Sequence, residues 1–312
     1  MKAAVLHNFR EPFVIEDIEP KGEGERVEVY ATGICGRDLV IWKGGFKNLR
    51  LPLVLGHEIF GYHNGEPVAV YPNFYCGECK YCKSGKENLC DMARILGEDS
   101  SATGGYAEEV IVPERNLIKL PDEEFTKYAA ATDPVATAIH SSKLVKVNPD
   151  DRVLVTGAGG GVGVHLIQYL KYLGVKDLYG LTSKADKLKQ LGVNVISEIT
   201  REMKFDVIFE LVGSPTINDS LRALDKEGRM ALIGNVEGTP INIMRPALSI
   251  MRQHLIVGSA AYTKKEYEEA IKLIYEGVIK PFYTAFKLEE INEAYKNLLE
   301  RKIFGRAVLK IR

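Results

Sequence analysis

Polar and apolar residues alternate through Arg26-Val27-Glu28-Val29-Tyr30-Ala31, the pattern of a strand with one buried face. Met1-Lys2-Ala3-Ala4-Val5-Leu6 reads as an opening strand, and short apolar runs ending at proline follow at 67–72 and 106–113. Strands this short, punctuated by glycine and proline, predict a barrel-like β unit over residues 1 to about 120.

The pattern changes near Tyr128. An alanine-rich helical stretch, Ala129–Ala131 and Ala136–Ile139, leads into alternating apolar strands and amphipathic segments. Strands are predicted at 153–156, 178–181, 193–196, 206–211, 229–233 and 254–258. Between the first two, Val162, Leu166, Leu170 and Leu173 share one helical face, and Gly174 ends the helix. Six strands with helical crossovers predict an α/β, doubly wound parallel sheet. After Tyr262 the pattern is helical at 264–276 and 288–300, and a strand at 306–311 closes the chain.

A length of 312 residues accommodates two domains with separate cores. A net charge of −1 gives no electrostatic case for nucleic acid or an anionic membrane. No apolar run reaches the roughly 20 residues of a membrane span, and nothing after Met1 reads as a signal peptide. A cytoplasmic protein is expected. Three glutamines beside many Lys and Glu hint at a thermophile. Of five cysteines, four fall between Cys76 and Cys90, which points to metal rather than to a secreted disulfide framework.

Thr156-Gly157-Ala158-Gly159-Gly160-Gly161-Val162-Gly163 joins a strand to a helix, the setting of a dinucleotide site. Glycine lets the backbone approach a pyrophosphate, whose charge the helix N-terminus stabilises. Aligned on Gly160-x-x-Gly163, the loop reads A-x-G-x-x-G, with Ala158 at the first position. A plain strand-to-helix turn is the bland reading, which the six-strand context outweighs. The second strand ends Leu181-Thr182-Ser183-Lys184 without the carboxylate that would bind the ribose of NAD, and Asp186 comes two or three residues late. Hydroxyls and a cation suit a 2′-phosphate, so NADP is favoured over NAD.

Cys76-x2-Cys79-x2-Cys82-x7-Cys90 closes a four-thiolate site, which is structural zinc. The spacing departs from the iron–sulfur run C-x2-C-x2-C-x3-C-P. A second metal set is offered by Cys35 and by His57-Glu58, each beside glycine. Thiolate, imidazole and carboxylate suit a catalytic zinc that keeps one position open. Singly, Cys35 is a small core residue and His57 a structural histidine. A further oxygen is available from Asp133, whose alternative is a helix N-cap before Pro134. Asp38 suits a partner that orients His57.

With these residues in place the chain resembles the zinc-containing alcohol dehydrogenases of the medium-chain dehydrogenase/reductase superfamily. The resemblance rests on Gly33-Ile34-Cys35-Gly36-x-Asp38, Gly56-His57-Glu58, the four-cysteine lobe, Gly160-x-x-Gly163 and Gly305-Arg306-Ala307-Val308. Asp133-Pro134 through His140 is similar to a Glu-Pro…His segment of polyol and threonine dehydrogenases. The resemblance implies a GroES-like β-barrel catalytic domain (1–132 with 263–312, zinc lobe 76–90) and a Rossmann NAD(P)-binding domain (133–262). It implies two zinc ions per chain: Cys35, His57 and Asp133 hold the catalytic one, with Glu58 as alternate ligand, and Cys76, Cys79, Cys82 and Cys90 the structural one. Ala158, Gly160, Gly161, Val162, Gly163, Thr182, Ser183, Lys184, Gly234 and Arg306 fall on the cofactor side. Hydride would pass between NAD(P) and a small alcohol, polyol, aldehyde or ketone, in a homodimer or homotetramer pairing through Leu255-Ile256-Val257.

Two departures stand out. The family places Ser or Thr two residues after the zinc cysteine as a proton relay, and this chain has Arg37; where His often follows, it has Val40. Guanidinium has no lone pair to accept a proton. Arg37 therefore reads as a contact for an anionic or polyhydroxy substrate, or the chain as a reductase of aldehydes or ketones in which the relay is dispensable. The alternative is a zinc-stabilised nucleotide-binding protein of impaired activity. The stretch Tyr62–Glu66 reads as a short loop after Glu58.

Overall fold

The computed structural model describes residues 1–312 apart from Lys47, Asp99, Val236 and Glu237. Its N-terminal half is built on the strand Glu25–Ile34. The first part of that strand pairs with Glu109–Val112, and the rest with Glu58–His63 and Arg306–Lys310, all antiparallel. Glu66–Val70, Leu117–Lys119 and Tyr283–Lys287 complete a seven-stranded sheet. Tyr62–Glu66 is not a loop after Glu58: Glu58–His63 is itself a strand. Asn64 and Gly65, at φ 51° and 80°, make the tight hairpin turn that Asn-Gly favours.

The second half is the predicted parallel sheet. Its strands lie in the order Asn194–Ile196, Asp177–Leu181, Arg152–Thr156, Phe205–Glu210, Leu224–Leu232, Leu255–Gly258, all parallel. This is the 3-2-1-4-5-6 order, whose switch point lies between Arg152–Thr156 and Phe205–Glu210. All six predicted strands are present; the fifth begins earlier, at Leu224. In the helix Gly161–Tyr172, Leu166 and Leu170 are fully buried, while Val162 and the C-cap Leu173 pack at the margin of the same core.

Helix Phe125–Val145 joins the halves, and its 21 residues run unbroken through Asp133 and Pro134. Asp133 is therefore not an N-cap. The residue before proline resists helical backbone, but Ala129–Ala131, Val135 and Ala136 are buried against both halves, and that packing overrides the local preference. The expected junction at 132/133 falls inside this helix. One core runs from Phe60 and Tyr71 through the helix to Val153, Phe209 and Ile271. In the C-terminal segment, Lys264–Tyr275 is helical, 288–290 form a 3-10 turn and the last α-helix begins at Ile291. No helix among the described residues is long and apolar enough to cross a membrane.

Candidate metal and cofactor site

The strand register builds the first metal cluster. Gly33 lies opposite Glu58, so Cys35, just past one strand, meets His57, just before its neighbour. Helix Phe125–Val145 crosses behind and brings in Asp133. One ligand atom from each of Cys35, His57, Glu58 and Asp133 lies within 4.8 Å of the others, and all but Cys35 are buried. Zinc bonds of 2.0–2.3 Å place tetrahedral ligands roughly 3.3–3.8 Å apart, and Cys35 Sγ is 4.0 Å from Asp133 Oδ2. The donor set fits zinc after small adjustments.

The shell around these residues is specific. Asp38 Oδ2 accepts from Cys35 N and from Tyr106 Oη, both at 2.9 Å. That leaves Oδ1 facing His57 Nδ1 at 3.4 Å, with the other ring nitrogen available to a metal. Burial pushes Asp38 up and His57 down, but the pair reverses both: the Asp38 carboxyl is held below its usual range and His57 well above. Burial also raises Asp133. Tyr262 Oη donates to Asp133 Oδ1 at 2.7 Å. Buried Arg306 donates to Asp133 Oδ2 at 2.7 Å and to Glu58 Oε2 at 3.0 Å. Burial lowers the Arg306 pKa, partly offset by Cys35 and Asp38.

Cys76, Cys79, Cys82 and Cys90 form the second cluster. Sγ separations of 3.6 Å for Cys79–Cys82 and Cys76–Cys90 are far longer than a disulfide. Backbone N–H groups of Glu78 and Cys79 donate to Cys76 Sγ. Similar donors hold the Cys79 thiol at about 6, while burial pushes Cys82 up to about 12. Four thiolates without a cation repel one another; zinc supplies the missing charge.

At the switch point, the glycine loop lies against both halves. A Cβ on Gly163 would stand 2.5 Å from Gly157 O, so the helix reaches the strand this closely because Gly163 has none. Ala158 is fully buried beside Gly180, which suits a small residue there. Gly159 faces Thr182 Oγ1 and Lys184, and Gly161 faces the Arg306 side chain. Gly305 N donates to Gly159 O at 3.1 Å. Arg306 thus stands between the loop and the carboxylates of the metal cluster. Val162 is partly buried at the helix start, and Gly234 packs on Leu211 O. Thr182 Oγ1 accepts from Lys184 N, Ser183 lies between them, and Lys184 Nζ donates to Ile303 O. Asp186 is on the following helix, fully exposed and 4.0 Å from Lys189.

Residues 23–122 match the model of the alcohol dehydrogenase GroES-like domain, and residues 161–276 that of the zinc-binding dehydrogenases. An acryloyl-coenzyme A reductase of Sulfurisphaera tokodaii is 32% identical, with 99% of this chain and 100% of the relative covered. A NAD-dependent alcohol dehydrogenase of Sulfolobus acidocaldarius is 31% identical, with 100% of both covered. The solved alcohol dehydrogenase of Aeropyrum pernix superposes with a TM-score of 0.89 at 27% identity, covering 100% of both chains. The chain belongs to the zinc-containing alcohol dehydrogenase family. Its first sheet is the GroES-like domain and its second the Rossmann sheet. It is an oxidoreductase with, among the described residues, two zinc-type clusters, transferring hydride between NAD(P) and a small alcohol or aldehyde.

Against the family pattern, Arg37 is engaged rather than loose. Its Nε and Nη2 donate to the Glu98 carboxylate, Nη2 at 2.8 Å, and the guanidinium stacks 4.6 Å from the Phe46 ring centroid. Burial lowers its pKa, and Glu98 more than compensates. Val40 packs against Gly45 and Gly238. Several site-forming residues escaped the sequence reading. Glu98, Tyr106 and Tyr262 carry no local signal. Glu210 does: a carboxylate ending the apolar strand Phe205–Glu210, at the carboxyl ends of the strands, where open α/β sheets bind ligands. Its Oε1 accepts from Thr156 Oγ1, Val212 N, Gly213 N and Thr216 Oγ1, and Oε2 from Ser220 Oγ, fixing the loop beside the glycines.

Proposed function

We propose that Cys35, His57 and Asp133 are the ligands of the catalytic zinc, with Glu58 as alternate ligand, and that Cys76, Cys79, Cys82 and Cys90 hold the structural zinc. The convergence of the first four side chains, ligand atoms within 4.8 Å, carries this reading. Zinc bound there supplies Lewis acidity toward the substrate oxygen, and the nicotinamide supplies the hydride acceptor or donor. Asp38 orients His57. Arg306 balances the charge of Glu58 and Asp133 and lies where the pyrophosphate meets Gly160–Gly163. Arg37, lacking a lone pair, takes no proton from the substrate. On this reading residues 1–132 with 263–312 form the catalytic domain and 133–262 the nucleotide domain.

Formation of NAD(P)H from a panel of small alcohols, alditols and aldoses tests the assignment. Wild type should turn over members of the panel, and Cys35→Ser should fall about a thousandfold, roughly 4 kcal/mol of transition-state stabilisation. Undiminished Cys35→Ser would contradict it. A wild type that binds zinc and NADPH without turnover would establish the impaired reading instead, with Arg37→Ser expected to gain activity.

NADP is the preferred cofactor on this reading. Ala158, Gly160, Gly161, Val162, Gly163 and Gly234 receive the pyrophosphate side, and Thr182, Ser183 and Lys184 the ribose. Two more cations support the choice: Lys187, 5.9 Å from the Phe304 ring, and Arg301, which with Lys187 contributes to the lowered Lys184 pKa after burial. NADPH should bind about tenfold more tightly than NADH, and Lys184→Ala with Arg301→Ala should remove the difference. Equal dissociation constants in wild type would contradict the preference. Pairing of two copies at the edge strand Leu255–Gly258 is supported by the exposed Leu255, Ile250 and Met251.

A further inference from the structure

The Arg37–Glu98 pair stands at the rim of the metal cluster. Arg37 lies in the first turn of helix Gly36–Trp42, two residues after Cys35. Glu98 follows Gly97, and a Cβ on Gly97 would stand 3.0 Å from Gly56 O, the carbonyl just before His57. Arg37 thus sits on backbone that carries a proposed ligand, and Glu98 follows backbone packed against the segment that carries another. The Arg37 side chain is 40% exposed and that of Glu98 12%, so a small molecule can reach the pair.

Charge decides what suits it. A lone guanidinium favours a carboxylate or phosphate. Here the forked contact with Glu98 cancels the charge, so an anion must either break the pair or lie against the Glu98 carboxylate. Arginine has five N–H donors. Two go to Glu98, and the rest meet no acceptor among the described residues. The Glu98 oxygens keep lone pairs beyond the two they use. A hydroxyl both donates and accepts, so a vicinal diol matches fixed donors beside fixed acceptors without disturbing the net charge.

We propose that Arg37 and Glu98 form a substrate subsite selecting neutral polyhydroxy compounds, alditols or aldoses, over monohydric alcohols and anionic substrates. The proposal rests on the hydride-transfer reading only in placing the reacting carbon at the zinc cluster. It replaces the proton-relay position of the family with a specificity element.

The test uses zinc-loaded protein with C4–C6 alditols, the corresponding 1-alkanols and the corresponding aldonates. With NADP, the best alditol should exceed its alkanol and aldonate by about tenfold or more in kcat/KM. Glu98→Gln, which keeps its shape, and Arg37→Met should each cut the alditol-to-alkanol ratio about tenfold, chiefly through KM. Calorimetry on the NADPH complex, where no turnover occurs, should show alditol binding weakened to the same extent. An aldonate preferred by wild type would overturn the proposal, as would a ratio that neither variant moves. Alditol binding lost in the variants, with no hydride transfer in wild type, would sustain the subsite and sink the hydride-transfer reading. Turnover of alkanols with no alditol preference would do the reverse.

Discussion

At Gly33 the missing side chain matters as much as the carboxylate beside it. A Cβ there would stand 1.8 Å from Glu58 Oε2 and 2.5 Å from Ala129 O. Gly33→Ala must therefore displace Glu58 or the helix behind it, and the chain should lose about 1–3 kcal/mol, read from the urea midpoint. An unchanged midpoint would mean that the close approach of strand, carboxylate and helix is not real. At this scale the proposed ligands, whose convergence the structure shows, stood out because thiol, imidazole and carboxylate beside glycine advertise their chemistry. Their supports were not. Tyr106 reaches Asp38 across 68 positions, Arg37 reaches Glu98 across 61, and Tyr262 reaches Asp133 across 129, distances along the chain that no local pattern spans.

Among the elements, the parallel strands were readable as apolar runs and the glycine loop from its position between strand and helix. Tyr283–Lys287 was not, because its residues are mostly exposed and it lies on a sheet edge. The helix of the glycine loop carries a further buried residue without a sequence signal, His165. Its Nδ1 lies 2.6 Å from Gly161 O, and its Nε2 accepts from Phe282 N at 3.1 Å. That arrangement requires a neutral ring protonated on Nδ1, and burial lowers the His165 pKa to about 4 from 6.5. Because the folded value lies below the unfolded one, the contribution is complete above pH 6.5. It is lost as pH falls toward 4. His165→Gln should flatten the melting temperature's dependence on pH across that window. A slope as steep as in wild type would place the acid sensitivity elsewhere.

For the molecule as a whole, the family resemblance foretold the GroES-like and Rossmann sheets, while the physical joint between the halves was hidden. Helix Phe125–Val145 passes through the expected boundary and shares one core with both sheets, because alanine packs equally well against either. Asp133 is consequently held by that shared core, with Tyr262 and Arg306 approaching from the later parts of the chain. The account stands on two zinc ions with separable ligand sets, and elemental analysis measures that directly. Wild type should contain two zinc ions per chain, and His57→Ala one, with the four-cysteine site still filled. A wild type holding a single zinc or iron, or His57→Ala that still holds two, would contradict it.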